Sequence, residues 1–151
     1  MEDRYDTVLP EPSPLPLVIP DALAKAMASQ AEAGYPHEVC GLLLGQADGS
    51  SVRVERLFDA KNLNEERAHD RYILDPEAFL AADREGREAG LEIVGIWHSH
   101  PDSPARPSIT DLEAAWAGYS YVIVSVRQGA LADLRSYRLD GERFREETVH
   151  P

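Results

Sequence analysis

Two rhythms of apolar residues alternate along this chain. Residues 21–34, DALAKAMASQAEAG, place Ala22, Leu23, Ala26, Met27 and Ala31 at helical spacing, with Asp21 the expected N-cap and Gly34 the stop. Residues 38–45, EVCGLLLG, are a dense apolar run too short for an ordinary helix and bounded by turn formers, which predicts a buried strand. Residues 51–58, SVRVERLF, alternate by two and predict an antiparallel partner with one wet face, so the pair reads as a hairpin across ADGS. The next twelve residues, DAKNLNEERAHD at 59–70, have no apolar period and read as an exposed loop, long enough to face a substrate.

Residues 72–74 predict a short strand, and Asp75-Pro76 the cap and first turn of a helix running toward Gly90. Residues 91–98, LEIVGIWH, carry no charge after Glu92 and belong in the middle of a sheet. A proline-rich loop follows, and Ser108 opens a helix over ITDLEAAWAG. YVIVSV, ADLRSYRLD and ERFREETV then predict a three-stranded meander. The order is mixed α/β around a single sheet. Residues 15–151 form one domain, and residues 1–14, with prolines at 10, 12 and 14, an extended, poorly ordered lead-in.

Composition narrows the function. A formal charge of −12 offers no clustered cations for a nucleic-acid backbone, which argues against that class of partner. No stretch approaches the roughly 18 apolar residues that span a membrane. The single Cys40 excludes an intrachain disulfide and any multi-cysteine metal cluster, which points to a reducing, cytoplasmic setting.

The candidate chemistry lies in residues 95–111, GIWHSHPDSPARPSITD. Side chains alternate along a strand, so His98 and His100 point the same way, about 7 Å apart at their bases, close enough to share an ion. Two imidazoles, a carboxylate and an open water position make a catalytic zinc site. Asp111 can supply the carboxylate, with Pro101, Pro104 and Pro107 stiffening the loop between. Ser108-x-x-Asp111 reads equally as a helix capping box. A hydrolase also needs a proton carrier, and Glu38, ahead of a buried strand, is the best candidate, although spacing alone does not separate it from Glu92 or Glu113. Cys40 is a competing nucleophile, but inside an apolar strand it reads as a small buried hydrophobe. Trp97 and Trp116 read as core, and His37, His69 and His150 as surface residues.

Glu38 in PHEVCGLLLG, followed by HSHPDSPARPSITD, resembles the signature of the JAMM (MPN-plus) metallopeptidases, and the likeness extends through NLNEERAHDRYILDPEAF over roughly residues 15–140. The resemblance implies a mixed curved sheet flanked by helices, similar to cytidine deaminases. It implies one Zn²⁺ per chain held by His98, His100 and Asp111, with Glu38 as general base and acid and Ser108 holding the oxyanion. The implied substrates are amide or isopeptide bonds at the C-terminal tail of ubiquitin or a ubiquitin-like β-grasp protein. LxIPxxLxxAM and the short length look like the bacterial form, which favours release of an amino acid from a sulfur-carrier protein over cleavage of lysine-linked conjugates. The same fold also serves as a non-catalytic scaffold where the ligands are lost, and here every motif residue is present.

Overall fold

A computed structural model describes residues 6–151. The elements are β1 (Leu17–Val18), α1 (Asp21–Gly34), β2 (Cys40–Ala47), β3 (Val52–Ala60), α2 (Pro76–Ala89), β4 (Glu92–Pro101), α3 (Ile109–Ala114), β5 (Ser120–Arg127), β6 (Ala130–Asp140), β7 (Arg143–Glu147) and β8 (Val149–His150). All strands join one mixed sheet in the order β7-β6-β5-β4-β2-β3-β1-β8. Thr148 alone separates β7 from β8, yet these strands stand at opposite ends of that order, so the sheet curves until its edges almost meet.

The hairpin β2–β3 and the meander β5–β6–β7 are antiparallel, as their alternation predicts. β4 lies in the interior, antiparallel to β2 and parallel to β5. A parallel pair needs a crossover, and that crossover is the proline-rich loop with α3.

Both faces of the central strands are covered, which is why they read as continuous apolar runs. On one side Leu43, Trp97, Val122 and Val124 pack with Met27 and Ala31 of α1. On the other, Leu42 and Leu44 pack with Ala82 of α2, and Ile96 joins them. Gly41 stands opposite Trp97, where a Cβ would fall 2.3 Å from the indole nitrogen. The buried ring therefore requires glycine there.

The structure corrects several sequence expectations. Asp21 is the first helical residue of α1; Pro20 occupies the cap position, with no side-chain cap bond. Residues 72–74 are not a strand: Leu74 makes only an isolated bridge to Asn62. α3 ends at Ala114 because the Trp116 amide donates to the Tyr121 hydroxyl at 2.7 Å, drawing the chain out of the helix. Trp116 is consequently 67% exposed rather than core.

The first five residues of the lead-in lie outside the described region. The remainder is extended, but it is docked rather than loose. Thr7 is 2% exposed, Leu9 donates to the Phe144 carbonyl at 2.7 Å, and Ser13 to that of Glu146 at 2.8 Å. Among the described residues no helix is long and apolar enough to cross a membrane.

Candidate active site

The carboxyl end of β4 carries His98 and His100 on one face, each 6% exposed or less. The antiparallel ladder with β2 pairs Cys40 with His98, and the Ser99 amide extends it by donating to the Val39 carbonyl at 2.9 Å. Two further steps of that register bring Glu38 opposite His100, on the same face of the sheet. Glu92, by contrast, pairs with Gly45 at the far end of β4, and both Glu92 and Glu113 are exposed.

Asp111 arrives from the first turn of α3, and the capping box and the carboxylate's approach to the histidines coexist. Ser108 Oγ accepts from the Asp111 amide at 3.0 Å, and the Ser108 amide donates to Asp111 Oδ2 at 2.8 Å. That reciprocal pair aims the carboxylate inward. Oδ1 lies 3.2 Å from His98 Nε2, Oδ2 lies 3.1 Å from His100 Nε2, and the two Nε2 atoms are 3.0 Å apart.

Three donors at this spacing fit a small divalent ion. Bonds of about 2.0–2.1 Å in a tetrahedron set its edges at roughly 3.3 Å. His100 Nδ1 donates to the Pro104 carbonyl at 2.8 Å, which leaves the Nε2 lone pair free for a ligand bond. His98 is oriented differently: its ring stacks on Tyr72 with centroids 4.5 Å apart. Its Nδ1 is the one buried side-chain nitrogen or oxygen among the described residues without a hydrogen-bond partner.

Electrostatics separate the groups. Burial lowers the His98 pKa and so keeps its imidazole neutral, as a metal ligand must be. Burial works against the charge of Asp111, but the two imidazoles outweigh it and hold the carboxyl far below its ordinary range. Burial pushes Glu38, 7% exposed, up to about 7. A carboxyl that titrates there can both accept and return a proton near neutral pH. Burial, then the nearby Glu38 charge, pushes the Cys40 thiol up to about 12, and its Sγ donates to the Lys61 carbonyl, so Cys40 is a poor nucleophile.

Sequence reasoning missed the residues that hold Glu38. Asn62 Nδ2 donates to the carbonyls of Glu38 at 2.9 Å and Arg71 at 3.0 Å, while its Oδ1 accepts from the amides of Asn64 and Ile73. The exposed loop is thus held to the site by the Asn62 side chain, and also by the Glu38 amide on the Ala68 carbonyl. The available signal was an Asn in a run without apolar period, the residue type that bonds nearby backbone. Tyr72 was hidden inside a supposed strand. From the site a groove of about 480 Å³ runs between α2 and α3, past Phe79, Leu80, Trp116 and Tyr119.

The chain matches, over residues 20–140, a family described as prokaryotic homologs of the JAB domain. The chain belongs to this family. This JAB-domain chain is 37% identical over 117 residues to the desampylase of Haloferax volcanii, covering 76% of this chain and 78% of that one. It is 38% identical over 135 residues to the CysO-cysteine peptidase of Mycobacterium tuberculosis, covering 89% and 90%. Its fold matches a JAB1/MPN domain protein from Archaeoglobus fulgidus with a TM-score of 0.54 over 92% of this chain and 99% of that one, at 19% identity. The JAB-domain chain is accordingly a hydrolase of the peptidase class.

Proposed function

We propose that this chain hydrolyses the amide bond at the C-terminal tail of a ubiquitin-like β-grasp protein, releasing an amino acid from a sulfur carrier. His98, His100 and Asp111 would hold a single Zn²⁺ per chain. The observation that carries this reading is the meeting of three convergent donors with a buried, near-neutral carboxyl at the head of an open groove. The peptidase relatives named for CysO-cysteine and for desampylation support the substrate class. A cytoplasmic setting suits an unpaired, buried cysteine.

A bound ion would supply Lewis acidity, polarising the scissile carbonyl and lowering the pKa of water so that a nucleophile is available near neutral pH. Glu38 takes the proton of the attacking water on its carboxylate and returns it to the departing amine nitrogen, so that a C–O bond forms as the C–N bond breaks. The Ser108 oxygen accepts the Asp111 amide, which leaves its hydroxyl hydrogen free to meet the developing oxyanion. The groove beside them receives extended chain and shields the reacting atoms from bulk water.

Purified protein is expected to bind about one zinc per chain, and failure to take up zinc would remove the mechanism. Incubation with β-grasp carriers bearing a C-terminal amino acid, against ubiquitin-like proteins linked to a lysine side chain, separates carrier processing from a desampylase-like isopeptidase. Release from neither would leave only a scaffold.

A further inference from the structure

The groove has one feature that bears on the leaving group. Among the described residues that line it, Arg71 is the sole Lys or Arg. Its backbone is fastened to that of Glu38, because the single Asn62 Nδ2 donates to both carbonyls, at 2.9 and 3.0 Å. The guanidinium is half committed. NH1 donates to the Asp70 carbonyl at 2.9 Å and lies 3.7 Å from Asp70 Oδ2, whereas Nε and NH2 make no hydrogen bond among the described residues. The Asp70 carboxylate is itself engaged by both Nε and NH2 of Arg67. Arg71 therefore presents a free two-nitrogen edge, on a side chain 35% exposed, at the wall of the groove beside Glu38.

We propose that this edge binds the free α-carboxylate of the departing residue, which makes Arg71 the residue that selects conjugates ending in a single amino acid joined through its α-amine. The inference rests on the functional reading above, in which Glu38 returns a proton to the leaving nitrogen. That nitrogen must then sit at Glu38. In an α-linked amino acid the carboxyl group is bonded to the same carbon as this nitrogen, so its charge falls close beside Glu38. A paired guanidinium edge matches a carboxylate in shape as well as charge. In a lysine-linked conjugate the whole side chain separates the leaving nitrogen from the backbone, and within a protein that backbone carries no free carboxylate. Arg71 would have nothing to bind.

The test uses the zinc-loaded full chain and one β-grasp sulfur-carrier protein in two forms, its C-terminal glycine amide-linked either to cysteine or to cysteinamide. The wild type is expected to favour the cysteine conjugate by about 10- to 100-fold in kcat/KM, the usual range for a hydrogen-bonded charge pair. Arg71→Gln is expected to bring the cysteine conjugate down to the level of the cysteinamide one, and Arg71→Lys to restore part of the preference. A wild type with no preference, or a preference that survives in Arg71→Gln, overturns the proposal. If Arg71 served only to support the fold, the substitution would lower both conjugates in parallel and preserve their ratio. Zinc-loaded wild type that cleaves neither form would overturn the functional reading itself, a result distinct from cleavage of both at equal rates.

Discussion

The two halves of the site are held in different ways. The half that carries the proposed metal ligands, residues 98–111, is fastened at many points. Ser125 Oγ donates to the Ser103 carbonyl at 2.6 Å, His100 Nδ1 to Pro104 at 2.8 Å, Tyr137 OH to Ala105 at 2.6 Å and Thr7 Oγ1 to Pro107 at 2.7 Å. Four side chains thus hold four carbonyls of one loop, and three of them are buried at 2% exposure or less. The half that carries Glu38 and Arg71 has a single side chain at its hub, Asn62 with four hydrogen bonds, beside the backbone bonds from the Glu38 amide to the Ala68 carbonyl and from the Leu63 amide to the Ile73 carbonyl. A metal site needs three donors within fractions of an ångström, which distributed anchoring provides. Glu38, the proposed proton carrier, stands beside the groove and is held by backbone pairing and this one hub.

Glu38→Gln strikes the half built around Asn62 hardest. It is expected to lower kcat by about 10³-fold or more while zinc content is unchanged; measuring both on one preparation decides it, and preserved turnover would reassign the proton carrier. Asn62→Ala comes next, because it removes the side chain that joins the Glu38 and Arg71 carbonyls. A fall of about 10²-fold in kcat/KM is expected, with a loss of about 2–3 kcal/mol in denaturant unfolding as two carbonyls and two amides lose their partner. If kcat/KM changes no more than in loop variants remote from the site, Asn62 does not position Glu38.

The Glu38→Gln protein should also be the more stable of the two above neutral pH when both are stripped of metal. In the folded state Glu38 titrates near 7 rather than at its ordinary 4.5, so between those values the folded protein binds more protons than the unfolded one. Wild-type stability then falls as pH rises through that window, while the glutamine variant has no such slope. The expected advantage is absent below about pH 4.5 and on the order of 2–3 kcal/mol above pH 7. Paired unfolding curves at pH 4.5 and 8 measure it, and an advantage that is larger at low pH would contradict the sign.

The smallest effect is expected from Thr7→Val, which removes one of the four loop anchors. About 1 kcal/mol of stability should go, and kcat should stay within a few-fold because the other three anchors remain. A loss of zinc binding would mean that the ligand half is less redundantly held than its geometry indicates.

These residues also show where sequence reading succeeds. His98 and His100 were legible as a same-face pair because strand alternation is local, and Ser108 with Asp111 because a capping box spans four residues. The α2 boundaries were legible for the same reason: Asp75 accepts from the Glu77 amide, and Gly90 takes the left-handed conformation at the end. Asn62 and Tyr72 were not legible as site residues. Their roles depend on which strand lies beside which, and no local period encodes that. Trp116 misled, because an aromatic at helical spacing is ordinarily core, and here a hydroxyl from β5 draws its backbone out of the helix.

By itself, the sequence determined the sheet-forming and helix-forming segments, the facing of the two histidines, the rigidity of the proline loop and the cap that turns Asp111 inward, all consequences of contacts within a few residues. Only the tertiary structure decided that β2 lies against β4, so that Glu38 comes to stand opposite His100. It also decided that Asn62 ties Glu38 to Arg71 and that the lead-in closes onto Pro107. These pairings join residues tens of positions apart, and they exist because burying both faces of one curved sheet leaves the chain few other ways to bring its strands together.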